Sequence, residues 1–148
     1  MILRDFKAFP RRGRIIGVDW GASRTGLAVC DESREFVFTR PLVPSRDTDA
    51  ALRAIAQVAV SEGACGIVFG LPLRGDGAES DTTAMARAAA EKLALITDLP
   101  ICFLDETLTS FEAAEINNIK TKRAAREKLD SESARVLLEN AIAIINRL

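Results

Sequence analysis

The sequence predicts an α/β domain with a mixed five-stranded sheet and helices on both of its faces. Three observations carry that expectation. Short apolar runs bounded by turn residues recur along the chain, as buried strands require. The first three runs follow one another through short turns, which suits an antiparallel meander. The later runs alternate with stretches of helical periodicity, which suits parallel strands joined by crossover helices.

The elements follow in order. Residues 1–13 are basic, contain Pro10 and Gly13, and read as an N-terminal arm or edge segment. Residues 14–20 form the first strand, on Ile15-Ile16-Gly17-Val18-Asp19-Trp20. Gly21-Ala22-Ser23-Arg24-Thr25-Gly26 reads as a tight turn, since two glycines bracket polar residues. Leu27-Ala28-Val29-Cys30 is the second strand; Phe36-Val37-Phe38-Thr39 is the third, stopped by Pro41 and Pro44. Ser45-Arg46-Asp47 supplies an N-cap, and a helix follows to about Glu62, with Leu52, Ile55 and Ala59 on one face and Gly63 beyond its end.

Gly66-Ile67-Val68-Phe69-Gly70 is apolar on both faces and reads as a central parallel strand. Leu71 to Gly77 is expected to be a loop, and residues 80–96 an alanine-rich helix whose Thr82 and Thr83 are ordinary first-turn residues. Pro100-Ile101-Cys102-Phe103-Leu104 is the fifth strand, followed directly by Asp105-Glu106-Thr107. Thr109-Ser110-Phe111-Glu112 is a capping box that opens a helix through about Ile119, and a basic loop comes next. A last helix is expected from near Asp130 to the C-terminus, with Ala134, Leu137, Leu138, Ala141, Ile144, Ile145 and Leu148 along its apolar stripe. The order β-β-β-α-β-α-β-α matches the ribonuclease H-like arrangement.

Composition narrows the chemistry. A length of 148 residues suits one domain, placed here at 14–148 behind the basic arm. The absence of histidine excludes Ser-His-Asp and Cys-His catalysis and imidazole-ligated metals. The 21 acidic residues are then the main pool of hard-metal ligands. A net charge of -1 gives no global basic field, but two runs are strongly basic: residues 4–14, and Lys120 to Lys128. A basic run taken alone is most often a solvated surface. The second run gains weight from lying between two helices of the site, so Lys122, Arg123 and Arg126 are candidate phosphate contacts. Cys30, Cys65 and Cys102 are odd in number and widely spaced, which fits buried reduced thiols in a cytoplasmic protein. No apolar stretch is long enough to span a bilayer, and no signal peptide is evident, so no membrane is expected.

Asp19 ends an apolar run, where an unpaired charge in the interior would be costly. It should therefore emerge at the sheet edge, facing a cation or solvent. Glu106 leaves the fifth strand, and parallel strands of open α/β sheets collect their sites at their carboxyl ends. Asp130 precedes Ala134 by four and Leu137 by seven positions, on the face packing against the sheet. Taken singly, each has an ordinary reading: a turn residue for Asp19, a surface charge for Glu106, an N-cap for Asp130. Converging without histidine, the three make a hard-metal site for Mg²⁺ or Mn²⁺. Such ions can activate water and stabilise the leaving oxygen in phosphodiester cleavage. Gly17 and Gly21 would let backbone and substrate phosphate approach closely. Asp105 should point to the opposite side of the strand, and Trp20 reads as packing before base stacking.

Gly17-Val18-Asp19-Trp20-Gly21-Ala22-Ser23-Arg24-Thr25-Gly26, Gly70-Leu71-Pro72, Asp105-Glu106-Thr107-Leu108-Thr109, and Asp130 with Ala134 and Leu137-Leu138 resemble the YqgF (RuvX-like) family. The resemblance runs over about residues 13–146, with its four motifs in order and at family-like spacing. That family is described as a Holliday junction resolvase and as a nuclease maturing the 5′ end of the small-subunit, pre-16S rRNA precursor. The resemblance implies a ribonuclease H-like fold and metal-dependent nuclease chemistry. It carries Asp19, Glu106 and Asp130 over as the catalytic and metal-binding triad, and Arg24 as a phosphate contact. Two positions depart from the family pattern: Thr107 stands where arginine is usual, removing one phosphate-facing charge, and Ser133 where alanine is more frequent.

A metal-dependent endonuclease acting on structured nucleic acid is thus the leading expectation, with pre-rRNA favoured over branched DNA. A monomer and a homodimer both fit the sequence. Two other classes compete. An ATP-binding phosphotransferase lobe shares the Asp-x-Gly strand end, but needs a second lobe for which the chain lacks room. A non-catalytic binding or ribosome assembly factor would leave the carboxylates structural.

Overall fold

The computed structural model describes residues 1–74, 76–107 and 122–148, and for 107 and 122–130 the backbone alone. The elements are β1 (Ile2–Leu3), β2 (Arg14–Asp19), β3 (Arg24–Cys30), β4 (Val37–Pro44), α1 (Thr48–Ser61), β5 (Ala64–Leu73), α2 (Asp81–Ala94), β6 (Ile101–Thr107) and α3 (Lys122–Asn146). The sheet order is β1-β6-β5-β2-β3-β4. β2, β3 and β4 form the antiparallel meander, while β5, β6 and β1 continue parallel to β2. The mixed α/β class holds, with six strands where five were expected. The sixth is β1, whose two residues pair with Ile101 and Cys102. Two residues are too short for a period-2 pattern to announce a strand.

Strand alternation divides the core. Ile16, Val18, Leu27, Val29, Ile67, Phe69 and Ile101 face α1 and α2 and are sealed there. Ile15, Ala28, Cys30, Val68 and Cys102 face α3 and meet Ala134, Leu137, Leu138 and Ala141. Both helices of the first layer begin on local signals. Asp47 caps α1 by accepting from the Ala50 amide, and Gly63 follows the helix at φ +64. Ser80 and Thr83 form a reciprocal capping box at the start of α2. Residues 1–13 are tied to the sheet by more than β1. Phe6 and Phe9 are buried edge to face, and the Phe9 ring fills the space over Gly66.

Five elements have boundaries that differ from the sequence reading. β3 begins at Arg24, so the expected turn at 21–26 is shorter and Arg24, Thr25 and Gly26 are strand residues. β4 runs through Pro41. It is the outer strand, and its register with β3 shifts between Thr25 and Leu27, so Pro41 lies where the ladder is already interrupted. β5 extends to Leu73 and β6 to Thr107, because their parallel pairing continues through Leu71–Asp105, Pro72–Glu106 and Leu73–Thr107. α3 begins at Lys122, so residues 122–128 belong to a helix instead of a loop, and Asp130 is inside that helix instead of capping it. The capping box at 109–112 and the helix expected through Ile119 lie outside the described residues.

Candidate active site

Asp19 is the last residue of β2 and is half-buried. Its position on the α3 side follows from Ile15 and Gly17. Ile15 packs in the α3 cluster, and a Cβ on Gly17 would lie 3.0 Å from Leu138 Cβ. Residue 19 repeats that side two positions on. Gly17 therefore makes room for a helix and not for substrate, which corrects the role expected for it. Across the sheet Asp19 pairs with Gly26, and Arg24 lies two residues back on the same side of β3.

The short turn after Asp19 is clamped at Gly21. The Gly21 amide donates to Thr25 Oγ1 at 3.2 Å, and the Ser45 hydroxyl donates to the Gly21 carbonyl. The Ser45 amide donates to the Ser23 carbonyl at 3.0 Å. Thr25 and Ser45 are both buried. A side chain on Gly21 would collide with the Arg24 carbonyl, so the glycine serves turn closure and not phosphate approach.

Glu106 lies near the end of β6, opposite Pro72 of β5. A Cβ built on Gly70 would lie 2.7 Å from Glu106 Oε2 and 3.2 Å from Leu137 Cδ2. The Glu106 carboxylate thus reaches across β5 over the bare glycine, on the α3 side. Gly70 follows Phe69, the register partner of Val18, just as Asp19 follows Val18. Glu106 is therefore directed along the sheet toward the strand position of Asp19. The Pro72 end of β5 is anchored by the Thr83 hydroxyl, which donates to the Pro72 carbonyl. Thr83 is fully buried and is more than a first-turn residue.

Asp130 lies on α3 four and seven residues ahead of Ala134 and Leu137, which are fully buried against the sheet. Its side chain, with those of Lys122, Arg123 and Arg126, lies outside the described residues. Asp105 is exposed, one residue out of phase with Glu106, on the side of Phe103. Trp20 is buried and stacks on Phe69 with ring centroids 6.4 Å apart, which makes it packing. Cys30 and Cys102 are buried thiols, while Cys65 is only half-buried, contrary to expectation. Burial pushes the Cys102 thiol up to about 11.

Comparison with known proteins adds a second line. Residues 13–143 match the family model described as RuvX, Holliday junction resolvase. The chain belongs to the RuvX family. Curated relatives carry the name "Putative pre-16S rRNA nuclease". One from Rhodopseudomonas palustris (strain BisB5) is 35% identical over 90% of this chain and 85% of its own length. One from Anaeromyxobacter sp. (strain K) is 37% identical over 85% of this chain and 93% of its own length. The structure of T. thermophilus RuvC in complex with Holliday junction substrate superposes with a TM-score of 0.56 at 12% identity, covering 90% of this chain and 96% of that one. That likeness shows the ribonuclease H-like fold. As a RuvX family member the protein is a nuclease.

The donor set of this family member fits a hard divalent cation. Asp19 and Glu106 offer carboxylate oxygens, the ligands Mg²⁺ and Mn²⁺ prefer, and Gly70 keeps the intervening space clear of a side chain. Among the described residues no three His, Cys, Asp or Glu side chains gather as a metal-ligand group. Sequence reasoning took Thr25 as a turn residue, Ser45 as part of an N-cap and Thr83 as a first-turn residue, and missed the hydrogen bonds by which they hold the site, for which no local signal exists.

Proposed function

We propose that the protein is a divalent-metal-dependent endonuclease that hydrolyses phosphodiester bonds in structured nucleic acid, and that it processes the 5′ end of pre-16S rRNA in the cytoplasm. The observation that carries the reading is the pair of carboxylates at the carboxyl ends of β2 and β6, with Glu106 laid over Gly70 of the strand between them. The names of the curated relatives support the RNA substrate. Among the described residues no helix is long and apolar enough to cross a membrane.

In this reading Asp19 and Glu106 hold the cation, with Asp130 as the third ligand from α3. A bound Mg²⁺ or Mn²⁺ supplies Lewis acidity to the scissile phosphate. The chain's own part is orientation. Thr25 and Ser45 fix the turn after Asp19, Thr83 fixes the strand beside Glu106, and Arg24 contacts a phosphate from the Asp19 side of β3. Lys122, Arg123 and Arg126 add phosphate contacts from the first turns of α3. Water is the nucleophile, and the chain has no histidine to activate a serine or a thiol in its place.

A four-way DNA junction is the second substrate to test, because the family model carries that description. Precursor RNA and a four-way junction are each incubated with the protein, with and without Mg²⁺ or Mn²⁺. Metal-dependent cleavage of the RNA is expected, lost in Asp19→Asn. Equal cleavage by wild type and Asp19→Asn would overturn the assignment, and cleavage of the junction alone would move the substrate to DNA.

A further inference from the structure

We propose that the cleft at the opposite end of the sheet, beside Arg34, binds a phosphate oxyanion. The cleft has a volume of about 600 Å³, and its lining includes Arg11, Arg12, Glu32, Arg34 and Asn146. It sits where β2 begins, whereas Asp19 ends that strand. Five residues of extended chain span roughly 17 Å, so the cleft is separate from the carboxylate edge.

Arg34 is the unusual group. It lies in the turn between β3 and β4 at φ +61, a left-handed conformation that non-glycine residues seldom take. Outliers of this kind collect where a side chain has a task. The turn delivers the guanidinium into the protein, and the residue is only 7% exposed. Nε donates to the Gly13 carbonyl at 2.8 Å, and Nη2 lies 3.8 Å from Cys65 Sγ. Nη1 is buried with no hydrogen-bond partner. Among the described residues no carboxylate pairs with it. A buried cation without a counter-ion is costly, and the cost is removed when an anion arrives.

No neighbouring group bonds to Nη1. Asp31 opens the same turn, but its carboxylate accepts from Ser33 Oγ at 2.6 Å and from the Phe36 amide at 2.9 Å. The Cys65 thiol donates to the Arg12 and Arg14 carbonyls. Arg11 donates to the Ile145 and Lys7 carbonyls, so it caps the C-terminal end of α3. Arg12 and Arg34 remain, against the single carboxylate of Glu32. Arg12 and Arg34 both line the cleft, and a phosphate, with its several acceptor oxygens, accepts the forked N–H pairs that guanidinium groups present. The phosphate can be free or part of a nucleic-acid strand; its oxyanion is the same.

The test is a titration of the intact protein at constant ionic strength, chloride being the replaced anion. In one arm inorganic phosphate is added and the melting temperature followed. In the other, a short RNA oligonucleotide is added to the Asp19→Asn protein and binding is followed by fluorescence anisotropy. A saturable response in either arm is expected, with the apparent Kd raised at least tenfold by Arg34→Gln and by Arg12→Gln. Arg12 is exposed, so its variant keeps the test decisive where Arg34→Gln does not fold. A response to phosphate alone assigns a free anion. A response to the oligonucleotide that Arg12→Gln weakens assigns the nucleic-acid backbone. No saturable response in either arm, or responses that Arg12→Gln leaves unchanged, would overturn the site.

Discussion

Val18 and Asp19 are consecutive residues of β2, yet Val18 is sealed beneath α1 and α2 while Asp19 stands half-buried at the rim on the α3 side. The contrast extends across the sheet. The α1–α2 side is filled by Ile16, Val18, Trp20, Ile55 and Phe69, large buried side chains of one cluster. On the α3 side two glycines clear particular places among the packed side chains. Gly17 admits Leu138, and Gly70 admits the Glu106 carboxylate beside Leu137. Ala28, Ala134 and Ala141 keep helix and strands close. Both sides are packed, and the α3 side also leaves room at its rim for the Glu106 carboxylate. Period-2 alternation lets one strand serve both.

The sharpest way to break the contrast is Asp19→Asn. It keeps size and hydrogen-bonding reach but removes the charge. Cleavage of precursor RNA should fall by on the order of 10³-fold. The melting temperature should stay within a few degrees of wild type. Gly70→Ala comes next. Its Cβ would lie 2.7 Å from Glu106 Oε2, so the carboxylate must move. A displacement near 1 Å at a reacting group costs about 10²-fold in kcat. Single-turnover cleavage at saturating RNA measures it, and an unchanged rate would remove Glu106 from the reaction.

The converse change is Ile55→Ala on the other side. Ile55 is fully buried, so deletion should cost about 3 kcal/mol in urea unfolding. The rate per folded molecule should not change. A drop in kcat at full folding would show that the two sides are coupled.

Most of this contrast was legible in the sequence, and the losses have physical causes. The place of Asp19 at the end of β2 was legible because a charge ending an apolar run has few places to go. The place of Glu106 near the end of β6 was legible because it follows the apolar run of a parallel strand. The glycines were found but misread. Gly17 and Gly21 looked like room for phosphate, and only the packed α3 and the folded turn show what fills the space. Pairing partners lie far apart in sequence, so strand ends were set too short at Leu71–Leu73 and at Asp105–Thr107. Thr83 bonds to Pro72, eleven residues away, and Ser45 to Gly21, twenty-four away. No local pattern encodes such contacts. β1 was missed because two residues carry no period.

Thr25 offers a finer test, because it holds the Asp19 turn from within the buried layer. Thr25→Val keeps the shape and leaves the Gly21 amide without its acceptor. A buried donor left orphaned costs about 1–3 kcal/mol, and the half-buried Gly21 amide should cost less. Part of that should appear as a kcat about tenfold lower, with KM little changed, because the turn positions Asp19. Thr25→Ser, which retains Oγ, should restore the rate. Equal losses in both variants would indicate packing alone.

The smallest effect concerns a carboxylate with a different use. Glu62 follows α1 and accepts from Arg40 Nε at 2.6 Å, with Arg14 Nη1 at 3.4 Å. The hydrogen bond from Arg40, then the charges of Arg40 and Arg14, hold Glu62 below the usual glutamate range against the opposing effect of burial. Its folded pKa is depressed, so the unfolded chain binds the proton more readily. The stabilisation is complete above the unfolded value near 4.3 and is lost as pH falls through the lower, folded value. Both arginines are substantially exposed, which limits the contribution to about 1 kcal/mol or less. Glu62→Gln should therefore lower stability slightly at pH 7 and flatten the acid limb of the stability curve, with cleavage untouched. Loss of cleavage in Glu62→Gln would mean that an ion pair on the α1 side reaches the Asp19 rim through β2, and the separation of the two sides would fail at its weakest link.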